Sequence, residues 1–497
     1  MGSVTLIPRP SNGDDEHKVD ARAVNSKAAR ALYKKREQIY PKLVQGAFRN
    51  LKWAAMIVLL GIYYITPWIR WDRGDMRPDQ AVLVDFEGRR FYFFFIELWP
   101  QEVYYITGLL ILASFGIFLA AALFGRVWCG YACPQTVWTD LYIYVERWIE
   151  GDRNARMRLD KAPMSLAKAG KKIAKHAIWI LIAAATGGAW VFYFADAPTL
   201  LRELFAGQAS VTAYISIGLL TFTTYALAGT MREHVCTYMC PWPRIQAAMT
   251  DQHALSVTYR ADRGEPRGPH KKGTTWEGRG DCIDCNACVA ACPQGIDIRD
   301  GDQLECINCA LCIDACDDIM RKVGRPTGLI GYDTHVNVER RARGEAAQYR
   351  LIRPRTILYA VLMAAVGAIM LTALLNRSTL DLNVIRDRSP PFVRLADGSI
   401  RNDYAIKIIN MSPEARRVAI GVSGLEGARI MVQGGAQDAD GRVIADAPAD
   451  SVTNVRVHVI APAGAAQGSH PLQFRVEDLD THDDAESASA FLAGGRP

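Results

Sequence analysis

The stretch Cys282-Ile-Asp-Cys285-Asn-Ala-Cys288-Val-Ala-Ala-Cys292-Pro293, followed by Cys306-Ile-Asn-Cys309-Ala-Leu-Cys312-Ile-Asp-Ala-Cys316, decides how the rest of the chain is read. It holds two successive C-x2-C-x2-C-x3-C runs. That spacing binds two [4Fe–4S] clusters, the fourth cysteine of each run ligating the cluster of the other run. The pattern assigns Cys282, Cys285, Cys288 and Cys316 to one cluster and Cys306, Cys309, Cys312 and Cys292 to the second. Zinc would use two C-x2-C knuckles and leave the third and fourth cysteines of each run without a role. Disulfides are disfavoured by the reducing compartment derived below. Cys292 is followed by a proline and Cys316 by Asp317, a departure that bears on backbone geometry and not on the ligands.

Outward from this stretch, the chain is too long for one core: 497 residues imply several domains. Half of the residues are hydrophobic, gathered in long runs. Five runs are long enough to cross a bilayer, which takes about 20 residues. They are Leu51–Ile69, Val103–Phe124, Ala177–Ala195, Val211–Thr230 and Thr356–Leu375; their one charged residue is Lys52, at the second position of the first run. Trp53, Trp68, Trp179 and Trp190 sit near run ends, as interfacial aromatics do. The net charge of +6 is modest and its Lys and Arg are clustered. That pattern marks membrane flanks and gives no nucleic-acid footprint.

Basic residues also set the orientation. The polar arm of residues 1–48 carries Arg30-Ala-Leu-Tyr-Lys34-Lys35-Arg36, and the loop between the second and third runs carries Arg153, Arg156, Arg158, Lys161, Lys168, Lys171, Lys172 and Lys175. The loop from Asp196 to Ser210 has only Arg202, and the arginines of residues 70–102 are balanced by acids. The N-terminus is therefore expected in the cytoplasm and the region beyond Leu375 in the periplasm. No secretory signal peptide opens the chain, and the arm reads as a flexible cytoplasmic segment leading into a membrane-flanking helix. All twelve cysteines lie between Cys129 and Cys316 and so fall on the cytoplasmic side, where thiols stay reduced.

The domain organisation that follows is an arm (1–50), a membrane domain with four helices (51–250), a cytoplasmic two-cluster ferredoxin-type module (251–350), a fifth transmembrane helix (351–376) and a periplasmic β-sandwich (377–497). The last rests on short β-branched runs such as Tyr404-Ala-Ile-Lys-Ile-Ile and Val455-Arg-Val-His-Val-Ile, separated by turn residues, and reads as an all-β, immunoglobulin-like sandwich. The acidic stretch Glu477–Glu486 reads as a solvated tail. Between the first two runs, Ala81–Phe86 and Arg90–Ile96 read as an aromatic hairpin at the membrane surface.

A second constellation repeats. The second run leads into Cys129-Gly-Tyr131-Ala-Cys133-Pro134 and the fourth into Cys236-Thr-Tyr238-Met239-Cys240-Pro241, both C-x-Y-x-C-P. On a helix, positions i and i+4 share a face, so two such pairs can offer four thiolates to one centre. Repeated units of this kind bring matched sites together at their interface. Thiolates select Cu(I), zinc or iron–sulfur clusters, so Cys129, Cys133, Cys236 and Cys240 are candidate redox and metal residues, with Met231, Met239 and His234 as nearby soft or borderline groups. Packing as small hydrophobes is the plain alternative. No histidine lies inside the five runs, which argues against an intramembrane haem. No G-x-G-x-x-G follows a strand, so no dinucleotide site is signalled.

The order of elements resembles the FixG/RdxA/CcoG family of membrane iron–sulfur proteins, accessory to assembly of cbb3-type cytochrome c oxidase. Thr66-Pro-Trp-Ile-Arg70-Trp71-Asp72-Arg73-Gly74, Arg90-Phe-Tyr-Phe-Phe, Gly125-Arg-Val-Trp128 with the first C-x-Y-x-C-P and Gln135-Thr136-Val-Trp138, and Gly324-Arg-Pro-Thr-Gly328-Leu-Ile-Gly331-Tyr332 carry the resemblance. It implies an inner-membrane electron-transfer protein that supports oxidase maturation by reducing Cu(II) to Cu(I). The partners implied are oxidase subunits or copper-delivery factors, with an unidentified cytoplasmic electron donor. The cofactors are two [4Fe–4S] clusters, with copper or a further metal centre at the paired motifs. Membrane ferredoxins of other respiratory chains share C-x3-C-P pairs, so a quinol dehydrogenase feeding a reductase is the first alternative. A non-catalytic assembly scaffold is the second.

Overall fold

A computed structural model describes residues 18–25, 37–74, 77–270, 273, 275–432, 436–464 and 468–494. The basic segment Arg30–Arg36 lies outside the described residues. The chain divides into two compact units at Met370/Leu371.

The first unit begins with α1 (Ala47–Ile65), then a three-stranded antiparallel meander of β1 (Val82–Asp85), β2 (Arg90–Phe93) and β3 (Ile96–Leu98), then α2 (Tyr104–Phe124). Next come α3 (Pro134–Glu150), α4 (Arg153–Lys161), α5 (Leu166–Val191), α6 (Ala197–Ala206), α7 (Val211–Thr224) and α8 (Trp242–Met249). The cysteine-rich part contains β4 (Ser256–Tyr259), the single turn α9 (Ala261–Gly264), α10 (Ala287–Ala291), α11 (Leu311–Lys322), β5 (Ile330–Asp333), which pairs with β4, and α12 (His335–Ala342). Helix α13 (Pro354–Leu375) ends the membrane region. Five helices are long and apolar enough to cross a bilayer: Ala47–Trp68, Pro100–Phe124, Leu166–Val191, Val211–Met231 and Pro354–Leu375. The chain is a multi-pass membrane protein.

These helices pack where a residue is small. Gly108 of α2 packs under the Met370 side chain of α13, and a Cβ on Gly187 of α5 would lie 2.9 Å from the Ile217 carbonyl of α7. Small residues at such crossings let backbones approach when the lipid supplies no hydrophobic drive. Helix α5 starts well before the expected Ala177. Ser165 caps it by accepting from the Lys168 N–H, and the Lys-rich turns after it continue the helix on a polar face. Trp179, expected at an interface, is buried, its ring 5.2 Å from that of Tyr142 and its indole N–H donating to the Tyr142 carbonyl.

The arm also departs from expectation. No helix precedes α1 among the described residues. The chain there is clipped to the cysteine-rich part: Val19 N–H donates to the Cys285 carbonyl at 2.8 Å, Val24 N–H to Gly295 at 2.7 Å and Lys42 N–H to Ala290 at 2.8 Å.

The second unit is a sandwich of two antiparallel sheets built from β6 (Leu380–Arg386), β7 (Val393–Arg394), β8 (Ile400–Asn410), β9 (Arg416–Ser423), β10 (Arg429–Val432), β11 (Val443–Ala447), β12 (Ser451–Ala461), β13 (Gly468–Asp478) and β14 (Asp484–Ala493). One sheet runs β10-β12-β8-β6 with β7 on β8, and the other β11-β9-β13-β14. Tyr404, Ile406, Phe474 and Phe491 fill the space between them, and the Tyr404 hydroxyl donates to the Ala490 carbonyl of the opposite sheet at 2.9 Å. The acidic stretch expected as a tail is the turn of the β13–β14 hairpin, with Glu477 opposite Asp484. Alternating small and apolar residues after Asp484 complete the sheet.

Beneath α3, an ionic core ties three helices together. Glu146, 1 % exposed, meets Arg156 at 2.7 Å, Arg232 at 3.0 Å and Lys175 at 3.3 Å. Burial alone would raise the Glu146 carboxyl. The cations of Arg232, Arg156 and Lys175 outweigh that and hold it near 2. A folded-state value below the usual 4.5 means its stabilisation is present above pH 4.5 and is lost as pH falls through about 2. Replacing Glu146 by Gln strands three buried cations, an error costing about 3–5 kcal/mol for a broken buried pair. We expect a lowered midpoint of unfolding for Glu146→Gln in detergent at pH 7, with the gap to wild type narrowing below pH 4. An unchanged midpoint at pH 7 would show that the network is not structural.

Candidate functional site

The eight cysteines of the two runs are brought into two sets. One cavity, of about 330 Å³, is lined by Cys282, Cys285, Cys288 and Cys316, with Arg299, Tyr259 and Met320 in its wall. The other, of about 370 Å³, is lined by Cys306, Cys309, Cys312 and Cys292, with Val257, Ile296 and Ile307. Each set therefore takes its fourth cysteine from the other run, and Cys288 also borders the second cavity.

The loops achieve this with matched backbone strain. Asp284 and Asn286 in the first run and Asn308 and Ala310 in the second all have left-handed backbones, φ 51°, 57°, 52° and 59°. Alternating handedness of this kind turns successive N–H groups inward as an anion-binding concavity. Backbone N–H groups accordingly reach sulfur: Ala287 to Cys285, Asn308 to Cys306, and Gln294, Gly295 and Ile296 to Cys292. Burial pushes the thiols up, Cys306 and Cys316 to about 12 and Cys292 to about 11, so these thiolates need a cationic partner to exist. Among the described residues no three His, Cys, Asp or Glu side chains converge on a single ion. Four thiols spaced around a cavity with inward N–H groups fit an iron–sulfur cube better than one zinc.

The walls of the two cavities differ. Arg299, largely buried, donates to Asp297, to Asp284 at 2.6 Å and to Asn286 at 2.8 Å beside the first set. Among the described residues none that lines the second cavity is basic, and Arg126 acts on Cys306 from outside it.

The paired motifs share a backbone as well as a sequence. Four residues before each first cysteine the chain turns left-handed, at Gly125 (φ 61°) and at Arg232 (φ 41°). A wide π-turn follows, Trp128–Ala132 and Val235–Met239, closed by Cys133 N–H to the Trp128 carbonyl at 2.8 Å and Cys240 N–H to Val235 at 2.7 Å. Such turns recur at functional positions in helices. The cysteines thus stand on π-turns and not on the α-helical faces expected, and Cys133 and Cys240 are extended residues ahead of Pro134 and Pro241. A non-glycine at φ 41° is strained. Arg232 is held there by its guanidinium, which donates to Gly229 at 2.8 Å, pairs with Glu146 and lies over the Trp179 ring.

All four of these cysteines lie within electrostatic reach of one another. Burial and the neighbouring thiols push Cys129 and Cys236 up to about 12, Cys133, Cys236 and Cys240 acting on the first and Cys133 and Cys240 on the second. Two buried glutamines attend them, unmarked in the sequence reading. The Cys129 thiol donates to Gln246 Oε1 at 3.0 Å, and the Gln294 side chain hydrogen-bonds Cys236. Gln294 follows Cys292-Pro293, so it links the second set to the thiol quartet directly. A small chamber opens beside Cys236, lined by Lys52, Gln135, Asp140, Arg232, Glu233 and Gln294. Met239 is exposed and the His234 ring lies 5.6 Å from that of Tyr238; neither borders the chamber.

The first π-turn sits on the second cysteine run. A Cβ on Gly130 would lie 2.6 Å from the Ile307 carbonyl and 3.1 Å from Cys309 Cα. The Tyr131 hydroxyl donates to the Cys309 carbonyl at 3.2 Å, and Arg126 donates to the carbonyls of Leu304, Cys306 and Pro243. Tyr131 is buried in this joint whereas Tyr238 is half-exposed, so the two tyrosines of the repeat do different work.

Five membrane-crossing helices, two cysteine-lined cavities and a thiol quartet define a membrane-bound iron–sulfur redox protein. Comparison with known proteins agrees. Residues 231–335 match a family described as 4Fe-4S dicluster domain, residues 106–154 a 4Fe-4S binding domain, and residues 370–494 the IG-like fold at the C-terminal of FixG. The chain is 50 % identical to the nitrogen fixation protein FixG of Rhizobium meliloti over 98 % of its own length and 99 % of that protein. It is 52 % identical to the proteins RdxB and RdxA of Cereibacter sphaeroides, each over 90 % of this chain, with 94 % and 93 % of those proteins covered. The chain belongs to the FixG family.

Two outcomes follow from this geometry. Gly130→Val must separate the π-turn from the Ile307–Cys309 backbone. Electron paramagnetic resonance of the reduced protein should then lose or broaden one cluster signal while the other persists, and unchanged spectra and iron content would show that the joint is dispensable. Removing the Arg299 charge leaves Asp284 and Asp297 beside the first set, and a more negative surrounding lowers a cluster potential. Potentiometric titration of Arg299→Gln should move one midpoint negative by roughly tens of millivolts and leave the other in place.

Proposed function

We propose that this chain is a one-electron relay of the bacterial inner membrane that reduces Cu(II) to Cu(I) at Cys129, Cys133, Cys236 and Cys240, in support of cbb3-type cytochrome c oxidase assembly. The observation that carries this reading is the seating of the Cys129–Cys133 turn on Ile307–Cys309, with Gln294 joining the loop after Cys292 to Cys236. In this reading Cys282, Cys285, Cys288 and Cys316 hold one [4Fe–4S] cluster, and Cys306, Cys309, Cys312 and Cys292 the second. When bound, these clusters supply one-electron storage and transfer.

The thiol quartet receives the substrate ion. Each Cu(II) takes one electron, drawn from a cytoplasmic donor, and becomes Cu(I), the state that thiolates prefer. Coordination displaces thiol protons to solvent. Gln246 suits both states of Cys129. Its Oε1 accepts from the thiol, and its buried Nε2, without an acceptor among the described residues, would donate to a thiolate after an amide flip. The carboxylates of Asp140 and Glu233 in the chamber give a divalent ion oxygen ligands on its way to Cys236.

The Lys and Arg of residues 153–175 support a cytoplasmic placement for the cysteines and the N-terminal arm. The β-sandwich then faces the periplasm, where oxidase subunits or copper-delivery factors are its natural partners. The test uses protein purified without oxygen, dithionite as electron source and a Cu(I)-specific chromogenic chelator. Replacing the four quartet cysteines by Ser should slow cupric reduction at least about tenfold, a loss of about 1.4 kcal/mol in barrier terms, while both cluster signals remain. Equal rates in the two proteins would remove copper from the quartet.

A further inference from the structure

Two tyrosine hydroxyls hold the backbone of the second cysteine run from outside its cavity. Tyr131, in the first π-turn, donates to the Cys309 carbonyl at 3.2 Å, and Tyr332, in β5, donates to the Asn308 carbonyl at 2.6 Å. The two hydroxyls also lie within hydrogen-bond reach of one another. Neither tyrosine lines the cavity of Cys306, Cys309, Cys312 and Cys292. Both are fixed in place. Tyr131 is buried, and Tyr332 pairs with Val257 of β4 and packs its ring 5.5 Å from that of Phe48.

The peptide unit carries this hold to the other side of the backbone. A trans peptide is planar, and its C=O and N–H point in opposite directions. The Asn308 carbonyl shares a plane with the Cys309 N–H, and the Cys309 carbonyl with the Ala310 N–H. Fixing both carbonyls on the tyrosines therefore turns two successive N–H groups away from them. Cys309 and Ala310 are buried, and both line the cavity. Neither N–H meets an oxygen acceptor among the described residues. A hydroxyl donating to a carbonyl also polarises that peptide and strengthens its N–H as a donor. The first run is held differently: Cys285, the counterpart of Cys309, has its carbonyl taken by the Val19 N–H of the arm at 2.8 Å.

We propose that Tyr131 and Tyr332 are positioning residues for the second [4Fe–4S] cluster: they fix the peptides on either side of Cys309, turn two N–H groups toward the cavity, and so raise the cluster's potential. This rests on the reading that Cys306, Cys309, Cys312 and Cys292 hold a cluster. N–H groups that bond to sulfur favour the more negative, reduced state. The tyrosine of the first C-x-Y-x-C-P motif thus acts on the neighbouring cluster and not on the thiols either side of it. Tyr238, half-exposed at the same place in the second motif, makes no hydrogen bond to either run among the described residues.

The test is potentiometric titration of the full-length, iron-loaded protein, followed by electron paramagnetic resonance so that both midpoints are read. Tyr131→Phe and Tyr332→Phe each remove one hydroxyl and nothing else. Each should move one midpoint negative, lowering the ratio of reduced to oxidised cluster several-fold at a fixed poise, with iron content unchanged. The midpoint that moves should be the one that Arg299→Gln leaves in place. Tyr238→Phe should move neither. If one tyrosine variant fails to load iron, the other reads the same pair of peptides. Two wild-type midpoints that no tyrosine variant shifts overturn the proposal. So does a shift of the midpoint that Arg299→Gln moves, or an equal shift from Tyr238→Phe. Fewer than two midpoints in the wild type would remove the cluster reading itself, and this proposal with it.

Discussion

The turn at Trp128–Ala132 can lie against the backbone of Ile307–Cys309 only because position 130 carries no Cβ. Much of the first unit depends on that approach. It fixes where α2 ends, since Gly125 turns the chain left-handed against the Leu255 carbonyl. It sets Tyr131 onto Cys309 and Arg126 onto Leu304 and Cys306. It also brings the first C-x-Y-x-C-P turn to backbone contact with the second cysteine run. Electron tunnelling falls off steeply with distance, so on the proposed reading a joint of this closeness is what would make the two sites a relay.

The duplicated unit of helix, left-handed residue, π-turn and Cys-Pro is used unequally. In the first copy a glycine supplies the left-handed backbone at no steric cost. In the second Arg232 adopts it under strain and is pinned by Glu146, Gly229 and Trp179. The buried ionic core under α3 thereby reaches the thiols: Glu146 holds Arg232, and Arg232 sets the backbone four residues before Cys236. An interaction that looks structural is also a positioning element.

Much of this was legible in the chain. Long apolar runs, with Lys52 their one charge, located all five membrane helices, and cysteine spacing gave the two sets, because both signals are local. The sandwich showed in its alternating runs. What stayed hidden was long-range. Gln246 and Gln294 carry no motif, and their place beside Cys129 and Cys236 follows from contacts between residues far apart in sequence. Trp179 read as interfacial because a run boundary cannot tell a lipid-facing indole from one packed against Tyr142. The arm read as flexible because its polar composition hides backbone hydrogen bonds to Cys285, Ala290 and Gly295. The acidic Glu477–Glu486 stretch read as a tail because its charges obscured the small and apolar residues that pair β13 with β14.

Of the four thiols of the paired motifs, Cys129 is buried and the other three are part-exposed. A resident metal is usually gripped by ligands held in place by surrounding hydrogen bonds. Here the two first cysteines of the pairs rest on glutamine amides, groups able to serve either a thiol or a thiolate. The two second cysteines stand at the ends of π-turns, where backbone regularity stops. Such ligands can close on an ion and reopen without unfolding a helix. On the proposed reading that is what a passing substrate ion requires: thiolates soft enough to favour the reduced metal, and a cage loose enough to give it up. On the same reading, the contrast with the neighbouring eight cysteines, wrapped in left-handed loops with N–H groups turned inward, is a contrast between holding a cofactor and handling a cargo.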